Sequence, residues 1–284
     1  MRGGAGWVCA LFCAGVQAAP SAWFMRQDAM TRFHQAVLEG RVDALLPAWV
    51  EAWQAGNADW QQQLIAAWPL LLQQECGKTL APAITMANPV WTLELDRIRE
   101  PLMQRYRVRL HGVSRQRLTQ LQLIRQDGAV LLDQQSKATP IQWTANGEFD
   151  LATPDEPLPW RAGLYRLVWK APGGTPQQQW LILPPALPEG VLRNTGEEGW
   201  QIAPAPPLPP SCPVPELRMA IYDLGRKNWL PVWHEAHEQV LPQSFPPLTL
   251  PRGRYWRTVS WVERSQQGSI RLERQVRLSA LWLP

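Results

Sequence analysis

The hydrophobic period of this chain changes once, near residue 90, and that change restricts the fold to helices first and sheet afterwards. Before it, Met30, Phe33 and Val37 recur at helical spacing and Gly40 is a fitting stop. A second helix carries Leu46, Trp49, Val50 and Trp53 on one face and ends near Gly56. A third takes Asp59 as N-cap with Gln62 completing a capping box, and continues through Leu64, Trp68, Leu71 and Leu72. Pro69, which lacks an N–H donor, should kink or interrupt it. Gly77 closes a three-helix module. From Trp91 onward apolar and polar residues alternate, as in Trp91, Leu93, Leu95 and again in Tyr106, Val108, Leu110. Asp127-Gly128 before residues 130–132 reads as a hairpin turn. Further strands are expected at residues 141–143, 164–169 and 180–183, with Gly and Pro turns and no helices between them.

The first eighteen residues read as a removable export leader. Met1-Arg2 gives a positive start, residues 7–16 are free of charge, and Val16-Gln17-Ala18 places small residues at the positions a signal peptidase inspects. The run is too short to span a bilayer, and no later segment is long enough, so an integral membrane segment is not expected in the mature chain. Phe12 before Cys13 speaks against lipid attachment. The expected location is the periplasm, with secretion as the alternative. Cys76 and Cys212 remain after processing, and two cysteines in an oxidising compartment most often pair; the alternative is two buried free thiols. A net charge of +4 is too mild to name a partner, and an exported chain rarely meets nucleic acid.

The last third repeats the plan of the middle. Residues 217–222 lead into a turn at Gly225, Gly253-Arg254-Tyr255 opens a strand through Trp261, and residues 270–278 return after Gln266-Gln267-Gly268. Gly163-Leu164-Tyr165 and Gly253-Arg254-Tyr255 match, each after a proline-containing loop. The expected fold is α+β and multidomain. A helical module over 19–88 precedes two tandem antiparallel immunoglobulin-like β-sandwiches, over 89–186 and 187–284. The proline-dense residues 204–215 form a stiff extended connector containing Cys212.

Chemistry is sparse. His234, His237 and Glu238 form the one cluster that suggests a metal, because histidines three apart share a helix face. The spacing is not that of a zincin, no third protein ligand is near, and a solvated loop is the simpler reading. Asp150, Asp155 and Glu156 are close enough for a hydrolase with an unfamiliar carboxylate site, yet they precede a proline-rich turn where acids are common. No nucleophile elbow or phosphate loop is present, and no cofactor is implied. His34 and His111 are isolated and read as structural. Seventeen tryptophans against four tyrosines and five phenylalanines is an unusual balance, so their placement matters. Trp23, Trp60, Trp200 and Trp229 fall in loops or near element ends, where they stack on a glycan or cover module junctions. Arg271 and Arg277 alternate with apolar residues around Glu273 and Gln275; with Arg252, Arg254 and Arg257 they form a basic stripe for anionic envelope polymers or an ordinary solvated face.

Three stretches carry a resemblance: Glu75-Cys76-Gly77 with Trp91-Thr92-Leu93; residues 212–215 before Ile221-Tyr222-Asp223; and Arg254-Tyr255-Trp256 with Val259-Ser260 and residues 267–270. The chain resembles an uncharacterised family of exported gammaproteobacterial proteins, a domain of unknown function, some encoded beside cell-wall-stress two-component systems. The resemblance implies envelope maintenance and supplies no catalytic residue. After Leu278 the tail is more apolar than the family pattern, so the strand end there is open. Together these readings predict a non-catalytic periplasmic or secreted accessory protein that binds another envelope component, an envelope protein or cell-wall glycan. The alternatives are murein binding through exposed tryptophans, and the hydrolase.

Overall fold

A computed structural model describes residues 28–80, 91–196, 199–203, 208–226 and 230–283. The expected leader, Trp23, Trp229 and part of the connector lie outside them. Helices α1 (Ala29–Leu38), α2 (Val42–Ala55), α3 (Ala58–Ala66) and α4 (Trp68–Leu71) come first. Asp28 caps α1 by accepting from the Thr31 N–H at 2.8 Å. Asn57, rather than Asp59, caps α3, accepting from the Trp60 N–H at 3.1 Å. The apparent capping box at Asp59 is therefore already inside the helix. Pro69 interrupts as expected: α3 stops at Ala66, and α4 begins at Trp68 with the proline in its first turn, where no N–H is needed.

The rest is almost entirely strand. In order these are β1 (Trp91–Glu100), β2 (Met103–Val113), β3 (Gln120–Arg125), β4 (Val130–Asp133), β5 (Gln142–Trp143), β6 (Glu148–Ala152), β7 (Gly163–Lys170) and β8 (Gln177–Leu183). Then follow β9 (Leu192–Asn194), β10 (Trp200–Ile202), β11 (Glu216–Asp223), β12 (Pro231–His237), β13 (Tyr255–Gln267) and β14 (Ile270–Trp282). One sheet of four strands has the order β4-β3-β7-β8, and one of eight has the order β12-β11-β13-β14-β1-β2-β6-β5. The eight-stranded sheet therefore draws four strands from each half of the β region. They join through a parallel pairing of β1 with β14, from Trp91↔Ile270 to Arg99↔Leu278. Periodicity cannot show such a pairing, because its partners are far apart in sequence.

In the first half, β5-β6-β2-β1 packs on β4-β3-β7-β8, the strand arrangement of an immunoglobulin-like sandwich. Trp91, fully buried, sets its ring edge-on to Trp169 at 5.5 Å and to Phe149 at 5.6 Å. In the second half, β12-β11-β13-β14 repeats the four-stranded order, and a two-stranded hairpin, β9-β10, covers its apolar side around Trp200. The repeat seen in sequence has a structural basis. The Tyr165 hydroxyl donates to the Arg161 carbonyl at 2.7 Å, and the Tyr255 hydroxyl donates to the Pro251 carbonyl at 2.9 Å. Each is a tyrosine corner, closing the turn into the equivalent strand of its half. Burial pushes the Tyr165 phenol up to about 12, so it stays a neutral donor.

Three ties hold the helices and the two halves together. Cys76 and Cys212 form a disulfide, and Ser211 beside it donates to the Leu72 carbonyl at 2.8 Å. Trp53 of α2 lies directly on Gly163, ahead of the Tyr165 corner. Gln267, at the end of β13, uses its side chain as a surrogate strand: Oε1 accepts from the Ile182 N–H at 2.8 Å and Nε2 donates to the Ile182 carbonyl at 2.7 Å. The outer edge of β8 is thereby capped. Since Gln267 and Ile182 are each 1 % exposed, Gln267→Leu should strand two buried backbone groups and cost about 2–4 kcal/mol in chemical denaturation. A loss under about 0.5 kcal/mol would show that the clamp contributes nothing.

The opposite face of the eight-stranded sheet is an ion-pair lattice. Arg109 bridges Glu94 and Asp150, Arg105 and Arg107 share Asp155, and Arg218 and Arg264 share Glu216 and Glu273. Burial alone would raise the Glu94 carboxyl, but His111 at 3.1 Å and Arg109 at 3.3 Å overcome it and hold it at about 2. A carboxylate depressed on folding stabilises fully above its unfolded value of 4.5 and loses that contribution as pH falls toward 2. Glu94→Gln should therefore flatten the stability profile between pH 4.5 and 2 and leave a deficit of a few kcal/mol at neutral pH. Parallel acid-unfolding curves for variant and parent would disprove this. Asp96 moves the other way: burial raises its carboxyl even though Gln275 donates to it.

Candidate functional site

The end of the eight-stranded sheet where β1 turns into β2 gathers features found together nowhere else among the described residues. Pairing of β1 with β14 stops at Arg99↔Leu278, and the chain leaves through Pro101-Leu102 into β2. Strand β14 runs on, with residues 279–282 paired to β13 from Thr258↔Ser279 to Tyr255↔Trp282. The side of residues 279–282 facing away from β13 has no strand beside it among the described residues. The tail after Leu278 is thus regular strand, which settles the end that the sequence leaves open.

Beside this notch is a pocket of about 250 Å³. Trp200 and Phe245 form one wall, Leu278 and Ala280 another, with Arg99 and Arg257 at its polar side. Trp200 and Phe245 meet edge-on at 5.1 Å, and Trp233 packs on Phe245 at 5.9 Å. Arg257 lies over the Trp282 ring at 3.5 Å and the Phe245 ring at 5.1 Å, a cation–π arrangement on both. Among the described residues Arg99 donates to the backbone carbonyls of Glu189 at 3.3 Å and Leu192 at 3.4 Å. Glu100, the one acid lining the pocket among the described residues, is taken by Arg105. The Trp200 indole N–H is buried with no hydrogen-bond acceptor among the described residues. Leu102 (96 % exposed), Met103 (53 %), Leu281 (46 %) and Leu283 (65 %) surround this end with apolar surface.

The residues expected from sequence separate. Trp200 and Arg257 come together here. Arg257 shares the apolar face of the sheet, whereas Arg271 and Arg277 lie on the opposite face, because cross-strand partners share a face and Arg257 pairs with Ala280. Arg277 also approaches Asp96 at 3.9 Å, and Arg254 precedes β13 in an exposed turn. The expected basic stripe is therefore split. Trp200 is 4 % exposed, so it offers an edge to the pocket rather than an open stacking platform. Trp60 is half-buried against α2 and Gly56, a helix-junction role. The metal reading rested on a helix, but His234 and His237 belong to β12, where a three-residue offset puts them on opposite faces. His237 contacts Glu235 at 3.2 Å, and no metal-binding group of His, Cys, Asp or Glu occurs among the described residues. Of the hydrolase carboxylates, Asp150 and Asp155 are engaged by arginines, while Glu156 is exposed and bridges to Tyr106 through its backbone.

A mostly-β protein with few helices, immunoglobulin-like in strand plan, is the class this architecture defines. The chain belongs to the family described as Protein of unknown function (DUF2861), whose model matches residues 23–281. No curated protein matches it. Among solved structures it is similar to the N-terminal Ig1-2 module of Drosophila receptor protein tyrosine phosphatase DLAR, at 12 % identity over 70 % of this chain and 98 % of that one, with a TM-score of 0.29. It is also similar to the BSP domain of a biofilm associated protein, at 9 % identity and a TM-score of 0.22, covering 67 % of this chain and 29 % of that one. A third is the Bacteroides ovatus mixed-linkage glucan utilization locus SGBP-B in complex with a mixed-linkage heptasaccharide, at 18 % identity over 64 % of this chain and 43 % of that chain, with a TM-score of 0.21. The chain spans under a third of the biofilm protein's length. No helix among the described residues is long and apolar enough to cross a membrane.

Proposed function

We propose that this is a non-catalytic accessory protein of the bacterial envelope, exported to the periplasm, that binds another envelope protein at the open end of its eight-stranded sheet. The polypeptide is read as a helical module over 19–88 carrying two immunoglobulin-like modules over 89–186 and 187–284, with the connector pinned by the disulfide. The observation that carries the reading is the coincidence of exposed Leu102, Met103, Leu281 and Leu283 with an aromatic pocket lined by Arg99 and Arg257. Monomeric surfaces seldom concentrate apolar side chains in this way without a partner. Engagement of Asp150 and Asp155 by arginines favours binding over hydrolysis, and burial of Trp200 favours a protein partner over glycan stacking.

Chemical crosslinking in intact cells, followed by affinity purification and mass spectrometry, tests this. The parent protein should recover one reproducible envelope polypeptide. A Leu102→Glu/Leu281→Glu variant with an unchanged melting temperature should lose it. Undiminished recovery by that variant would reject the site, and sedimentation with purified sacculi that depends on Trp200 would favour the glycan reading instead.

A further inference from the structure

The disulfide sits where the backbone is held in an unusual conformation. Glu75 (φ +43°) and Cys76 (φ +52°) are the only non-glycine residues with positive φ among the described residues, and Gly77 follows at +82°. Left-handed residues that carry a Cβ cost free energy and persist only where the surroundings hold them. Here they are held from both sides: Gly77 lies too close to the Gln266 carbonyl to admit a Cβ, and the bond to Cys212 fixes Cys76. The two sulfur-bearing residues are unequally accessible. Cys76 is buried, whereas Cys212 is half-buried in a stretch whose Ser211, Pro213 and Val214 are exposed. Ser211 ties that stretch to the helices through the Leu72 carbonyl, and its prolines have no backbone N–H with which to add other ties. Cys76 Sγ lies 3.5 Å from the Arg264 carbonyl oxygen, an acceptor already in place for a thiol.

We infer that the Cys76–Cys212 bond is a redox-reactive latch: an external dithiol opens it in the folded protein, entering at Cys212, and so loosens the helices from the β region. One thiolate of the reductant attacks Cys212 Sγ. The S–S bond breaks, a mixed disulfide forms at Cys212, and Cys76 leaves as a thiolate. That thiolate takes a proton from solvent and donates it to the Arg264 carbonyl, so the buried sulfur keeps a partner. The second thiolate of the reductant then attacks its own sulfur in the mixed disulfide and expels Cys212, which is protonated in turn. Two electrons and two protons have passed to the protein, and the reductant leaves as a disulfide. Relief of the left-handed pair favours the open form, since strained or exposed disulfides are the labile ones. The strand pairings of β1, β13 and β14 do not pass through the bond, so the sheet survives its cleavage. The partner site at the open end uses neither cysteine, so the latch stands apart from it.

The purified full chain is treated with dithiothreitol without denaturant, with thiols followed by alkylation and mass spectrometry and structure by amide hydrogen exchange. Reduction should be first order in dithiol and roughly tenfold or more faster than global unfolding. Amides of α1 to α4 should lose protection while those of β1, β13 and β14 keep theirs. Acid quenching of a reaction with glutathione should trap the adduct on Cys212. Equilibration with dithiothreitol reads the strain. Glu75→Gly relaxes a left-handed residue and should shift the equilibrium roughly tenfold toward the disulfide. Glu75→Ala removes the carboxylate but keeps a Cβ, and should leave the equilibrium unchanged. Reduction only in denaturant or at the rate of global unfolding would overturn the latch. So would glutathione on Cys76 alone, equal shifts for the Gly and Ala variants, or helices as well protected after reduction as before.

Discussion

Replacing Cys76 and Cys212 together with alanine is expected to lower the free energy of unfolding by up to about 5 kcal/mol, the chain-entropy value for so long a loop. The bond closes a sequence separation of 136 residues and joins the end of the helices to the proline-dense segment that leads into β11. Its loss frees the unfolded chain. It also leaves the helices held to the β region mainly by Trp53 on Gly163 and by Gly77, where an added Cβ would sit 2.3 Å from the Gln266 carbonyl oxygen. The damage should therefore be uneven: amides of α1 to α4 should exchange first, while the paired core of β1, β13 and β14 keeps its protection. Denaturant unfolding of the double variant checks the size, and native-state hydrogen exchange checks the distribution. A loss below about 1 kcal/mol would mean that the remaining contacts already fix this junction.

The second large effect is expected at Gly163. Its φ of +144° is a conformation that side chains rarely adopt, and a Cβ there would meet Cζ2 of Trp53 at 2.5 Å. Trp53 is held in place: it is 6 % exposed and stacks on Trp49, with ring centroids 4.9 Å apart and planes 16° apart. Trp49 is itself anchored through its indole N–H to the Leu64 carbonyl at 3.2 Å. Gly163→Ala combines backbone strain with overpacking, each worth roughly 1–3 kcal/mol, for a total of about 4 kcal/mol. Shortening the opposing ring separates the two terms. In the Gly163→Ala background, Trp53→Leu should recover the steric part and leave the conformational part. A variant as stable as the parent would show that α2 does not press on the tyrosine corner at all.

Sequence periodicity disclosed most elements because burial on one face is a local signal. The switch from helical to alternating spacing at Trp91 is where β1 begins, and Gly128, with φ +91°, makes the predicted turn between β3 and β4. The two Gly-x-Tyr motifs pointed to equivalent strands because each hydroxyl needs the same corner. Other features had no local signal. Strand β12 is polar along His234-Glu235-Ala236-His237 because it is an outer strand, so its pairing with β11 rather than burial makes it a strand. Strand β6 rests on only Phe149 and Leu151. The parallel union of β1 and β14 depends on residues far apart in the chain, and the β13–β14 register, with Arg257 opposite Ala280, is what puts Arg257 and Arg277 on opposite sides. For the site, Trp200 and Arg257 were visible as residue types. Arg99 and Phe245 were not, since an arginine inside an alternating strand and a phenylalanine beside prolines look ordinary until the fold brings them together.

The most direct measurement is a photo-crosslinking amino acid placed in turn at exposed apolar positions in living cells, comparing 102, 281 and 283 with 38, 158 and 240. The proposed partner site predicts a single crosslinked adduct from the first group and none from the second. Adducts from both groups alike, or from the second alone, would contradict a partner site at the open end of the sheet.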